Sequence, residues 1–141
     1  MKSIIFVISL FILGCGMSTN SGHEIIIHSQ TDVFIDKKTG EAIDRESFQR
    51  NFVINFVADQ LITSIPITRE KVTSTIISKR RTVDKVLNGV VIEFVAVNDR
   101  TAEEEFYILL EKPEGAGYEL YQEIKDTDMR LFFNKDARCV H

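Results

Sequence analysis

Five side chains in this sequence could do thiol or imidazole chemistry: Cys15, Cys139, His23, His28 and His141. A thiolate beside an imidazole or a cation is a nucleophile, and both groups are common zinc ligands. The spacing supports neither use. His23 and His28 flank a β-branched run five residues apart, which puts them on opposite faces of a strand. Cys139 and His141 lie two apart and could share a face, but zinc needs further ligands. No HxxxH, CxxC or HExxH pattern supplies them. No metal site is expected.

Carboxylates and serines lead no further. Glu103, Glu104 and Glu105 are consecutive, so on a strand they alternate between faces and read as a solvated strand start. Asp36-Lys37-Lys38-Thr39-Gly40 has the look of a calcium loop, but such a loop needs Asp or Asn at its third and fifth positions. Lys38 and Gly40 stand there, and the segment reads as a turn. Serines are plentiful without a GxSxG elbow, and no glycine-rich phosphate loop is present. The sequence predicts no catalytic residue, no cofactor and no enzyme. The largest positive cluster, Lys79, Arg80, Arg81 and Lys85, reads as an exposed turn or as a contact patch for an acidic partner or lipid headgroups.

Cys15 has the most informative surroundings. Met1-Lys2-Ser3 is followed by Ile4–Leu13, in which only Ser9 is polar. A spanning helix needs about 20 apolar residues, so this run is too short. A basic start, a short apolar stretch and small residues at its end have the layout of a secretory signal peptide. Ile12-Leu13-Gly14-Cys15 then resembles the lipobox of bacterial lipoproteins. That resemblance covers only the signal and its cut site. It implies cleavage between Gly14 and Cys15, a diacylglycerol on the Cys15 thiol, and acylation of the new amine. One acyl chain holds a protein only marginally, and two or three hold it stably. Gly16 follows, where an Asp would imply retention at the inner membrane, so the resemblance favours the outer membrane and its periplasmic or surface face. Residues 1–14 are thus expected to be a signal peptide and 15–23 a lipidated tether. Residues 24–141 are expected to be one domain.

The chain carries a formal charge of −4, and loss of Lys2 with the signal makes it one unit more negative. That mild acidity argues against nucleic acid as a partner. With Cys15 acylated, Cys139 has no intramolecular partner. Free cysteine is among the most buried residue types, so Cys139 is expected to be buried and slow to react.

The elements that position these residues follow from periodicity. Glu24–His28 and Val33–Ile35 read as short strands. Phe48, Phe52 and Phe56 recur every four residues after Asp44, a good helix N-cap, and Pro66 follows. This predicts an amphipathic helix over residues 44–65, with Ile43 stapled on Phe48. Strands are predicted over Val72–Lys79, Val90–Val97, Glu104–Glu111, Tyr118–Ile124 and Met129–Phe133, with turns between them and at Asn134–Asp136. The predicted class is α+β, one helix packed on an antiparallel β-meander. Its element order is similar to cystatin-like or NTF2-like domains.

Three functions follow as expectations. The first is a membrane-anchored lipoprotein of the bacterial envelope with a non-catalytic binding or accessory role, taking a protein partner or a small ligand. The second is an inhibitor or exclusion lipoprotein that blocks an incoming enzyme, phage or conjugation partner. The third is an envelope enzyme using Cys139, for which no activating partner is visible in the sequence.

Overall fold

A four-residue recurrence satisfies period 2 as well as period 3.6, and the segment after Ala42 takes the shorter period. The computed structural model describes residues 24–86, 88–113 and 117–124, and the backbone of 128–140. It contains β1 (Glu24–Asp36), β2 (Ala42–Asn55), β3 (Gln60–Ile65) and β4 (Glu70–Asp84), then β5 (Gly89–Asn98), β6 (Glu104–Glu111), β7 (Tyr118–Glu123) and β8 (Asp128–Val140). Each strand pairs antiparallel with its neighbour in sequence, and β8 returns to pair with β1. The sheet is a closed up-and-down barrel of eight strands.

The expected α+β class is therefore wrong: no α-helix occurs among the described residues. Where the helix was expected, Ala42–Asn55 is a strand, 56–59 is a turn, and Gln60–Ile65 is the next strand. Phe52 and Ile54 point inward and are fully buried, while Val53 between them is only partly covered. That alternation is a strand's. The segment's β-branched residues (Ile43, Val53, Ile54, Val57, Ile62, Thr63, Ile65) lose rotamer freedom in a helix and pack well on a pleated surface. Asn55 breaks the run, its Oδ1 accepting the N–H groups of Val57 and Ala58 at 3.0 and 2.9 Å.

Strand β5 lies close to expectation, while β4 runs on from the expected end at Lys79 to Asp84 and β8 from the expected end at Phe133 to Val140. β6 has the predicted bounds, and β7 ends one residue early. The two short N-terminal runs are one strand, β1. The expected turn at Asn134–Asp136 lies inside β8.

One turn design recurs around the barrel. The last residue of a strand is followed four positions later by a residue in the left-handed region: Asp36 by Gly40, Asn55 by Asp59, Ile65 by Arg69, Asp84 by Asn88 and Asn98 by Ala102. The carbonyls of Asp36, Ile65 and Asn98 each accept the N–H of that fourth residue at 2.7–2.8 Å. Asp36, Asn55, Asp84 and Asn98 also cap the turn with their side-chain oxygens. Such caps are what make Asp and Asn good turn residues. Arg69 and Ala102 have neither the freedom of glycine nor the local hydrogen bonding of Asn. A left-handed L-residue costs about 1–2 kcal/mol. Ala102→Gly should therefore raise the unfolding free energy by about 1 kcal/mol, read as a higher urea midpoint at unchanged slope.

The closed topology sorts the turns onto two rims. The terminal rim carries the start of β1, the end of β8 and the β2–β3, β4–β5 and β6–β7 turns. The far rim carries the other four connections.

Candidate functional site

Inward-facing residues of β1–β7 line the barrel interior. Ile27, Phe52, Ile54, Leu61, Ile76, Phe94, Ala96, Tyr107, Leu109, Tyr118 and Leu120 form one contiguous buried cluster. Aromatic rings organise its centre. Phe94 stacks on Tyr107 with centroids 5.1 Å apart, and Phe56 meets Phe94 edge-on at 5.3 Å. The Tyr107 hydroxyl donates to Glu105 at 2.8 Å, giving the buried ring a satisfied polar tip.

A buried ion pair is the other marked feature of the interior. Asp32 is 1% exposed and takes two hydrogen bonds from Arg50, Nη2 to Oδ2 at 2.6 Å and Nε to Oδ1 at 3.3 Å. Arg50 precedes Phe52 on the inward face of β2, and its guanidinium also lies 4.4 Å over the Phe48 ring. Ser29 is buried nearby on β1, and its hydroxyl donates to the Thr31 carbonyl at 3.3 Å. That hydroxyl is committed to backbone, not to a base.

A second polar cluster joins β4, β6 and β7. Burial pushes the Glu111 carboxyl above its usual range, and the positive charge of Arg81 opposes that shift. Burial likewise lowers Arg81, against the pull of Glu111. Burial and the charge of Glu111 together push the Tyr118 phenol up. Tyr118 pairs directly with Glu111 across the β6–β7 ladder. The two acids, Glu111 and Tyr118, thus hold their protons more tightly than usual, and Arg81 holds its own less tightly.

The outer wall mixes apolar residues with paired charges: Val91, Val95, Phe106 and Ile108 lie on the face opposite the inward Phe94, Tyr107 and Leu109. Arg80 donates to Glu93 at 2.6 Å, and His28 Nδ1 lies 2.8 Å from its acceptor, Asn51 Oδ1. Lys37 pairs with Glu123. Lys112 pairs with Glu119 at 2.8 Å, and Tyr121 donates to the same carboxylate. Burial alone would raise Glu119, but these two hydrogen bonds and the Lys112 charge outweigh it and hold the carboxyl below its usual range.

The expected basic patch is not a single surface. Lys79 reaches down to Asp59 at 2.5 Å and to the Phe56 carbonyl at 2.7 Å. Arg80 turns to the outer wall and Arg81 toward Glu111, as strand alternation requires. Lys85 stands exposed in the β4–β5 turn. Gly14 and Cys15 lie outside the described residues. The backbone of Cys139 pairs with Ile25 in the β1–β8 ladder, and its side chain lies outside the described residues. Among the described residues, no group of three or more His, Cys, Asp or Glu side chains converges to hold a metal.

Sequence reasoning missed the Asp32–Arg50 pair. The signal was present: at period 2, Arg50 shares its face with Phe52 and Ile54, and a charge on an apolar strand face demands a partner. Comparison with protein families, curated proteins and solved structures finds no match to this chain.

Proposed function

We propose that the chain is a lipid-anchored protein of the bacterial envelope whose barrel is a non-catalytic binding module. The observation that carries this reading is Ile12-Leu13-Gly14-Cys15, placed directly after an apolar run of signal-peptide length. A thiol at that site takes lipid, and an acylated Cys15 holds residues 24–141 at a membrane face. Gly16 in place of Asp favours the outer membrane.

The binding role rests on where free surface remains. The interior is occupied by Phe52, Phe94, Tyr107 and their neighbours, so recognition falls to the turns and the outer wall. This favours a protein partner over a small molecule held in the lumen. The far rim is the natural contact surface, since it exposes Ile43 and Ile67 among charged turns.

Metabolic labelling with a fatty-acid analogue tests the anchor. The parent protein should carry the label and fractionate with membranes. Cys15→Ser should lose the label entirely and either leave the membrane or accumulate uncleaved. Equal label in both proteins would defeat the reading.

A further inference from the structure

Resting on the lipid anchor at Cys15, we propose that the barrel stands on the membrane by its terminal rim, with the β4–β5 turn seated in the phospholipid headgroup layer. Chain geometry makes the first argument. Residues 15–23 reach at most about 3.3–3.6 Å each, so Glu24 lies within roughly 30 Å of the acyl chains. β1 itself runs about 40 Å at ~3.3 Å per residue. The rim that holds Glu24 is the one brought to the lipid.

The chemistry of that rim makes the second argument. Val86 is 92% exposed at the tip of the β4–β5 turn, Val83 is 68% exposed beside it, and Val57 is 60% exposed in the β2–β3 turn. Asp84 accepts the Val86 N–H at 2.9 Å, so this apolar tip sits on a hydrogen-bonded turn. Lys85 lies next to Val86, where a long cationic stem can bury its methylenes and reach a phosphate. Two of the rim's carboxylates lie beside cations: Asp59 pairs with Lys79, and Glu111 lies in the field of Arg81. The far rim carries both signs, with Asp36, Glu41, Asp99, Glu103 and Glu104 beside Lys37, Lys38, Arg69, Lys71 and Arg100 in and next to its turns. Ile67, 83% exposed on the far rim, is then left facing away from the membrane.

The chain contains no tryptophan, so a single introduced indole reports its own surroundings. Val86→Trp and Ile67→Trp are made in the full chain, processed in bacterial membranes. Each is reconstituted into vesicles of phosphatidylethanolamine and phosphatidylglycerol, with and without brominated acyl chains. Both positions are exposed, so neither change disturbs the core. The proposal expects blue-shifted emission and loss of intensity in brominated vesicles for Val86→Trp, and neither for Ile67→Trp. Adding Lys85→Glu to Val86→Trp should reduce the quenching. Acylated protein in which the two positions are quenched equally, or in which only position 67 is quenched, overturns the docking and leaves the anchor standing. Protein lacking acyl label at Cys15 overturns the anchor, and the docking with it.

Discussion

Phe94→Ala and Phe52→Ala are each expected to lower the unfolding free energy by about 3–5 kcal/mol. Both rings are 1% exposed and belong to the central cluster. Removing the Phe94 ring deletes the contact that joins Phe56 to Tyr107, and the closed ladder prevents the wall from collapsing into the space left. Urea melts at constant lipid or detergent should show lower midpoints with unchanged slopes. Ile77→Ala, at an exposed position on β4, should stay within about 0.5 kcal/mol of the parent. A loss below ~1 kcal/mol at both phenylalanines, the scale of surface changes, would mean the lumen is loosely filled. Ligand binding inside the barrel would then move ahead of the protein-partner reading.

Arg50→Ala is expected to cost a similar amount, about 3–5 kcal/mol, because it leaves the Asp32 carboxylate buried without its bidentate partner. The pair itself contributes far less than that, since both ions lose their hydration to form it. Asp32→Leu combined with Arg50→Met should therefore recover most of the loss, and a double-mutant cycle should return a coupling of about 2–3 kcal/mol. Additive single effects would show that the two side chains do not depend on each other.

The strands of the C-terminal half were legible because their alternation has no helical equivalent. Glu104–Glu111 places Tyr107 and Leu109 on one face and Phe106 and Ile108 on the other, and a helix would scatter them. Val90–Val97 is apolar on both faces and reads as a fully flanked strand, which it is. The segment over 44–65 misled because Phe48, Phe52 and Phe56 satisfy both periods, and the capping potential of Asp44 tipped the choice. The decisive residues were Asn55 and Asp59, which make a turn in mid-segment without Gly or Pro. The same holds for Arg69 and Ala102, whose left-handed backbone no residue preference announces. Closure was hidden for another reason: the β1–β8 pairing joins Glu24 to Val140, and no local pattern reports so distant a contact. The basic run was visible, but only three-dimensional pairing assigns Lys79 to Asp59 and Arg80 to Glu93.

That pairing of first strand with last also sets when the chain can fold. Until Asp128–Val140 is present, β1 and β7 are both open edges, with rows of unpaired backbone groups. The loop that closes the barrel spans the whole domain, so its entropy must be met before the last two ladders form. A chain delivered residue by residue from its N-terminal side cannot seal this barrel until Asp128–Val140 has emerged to meet β1.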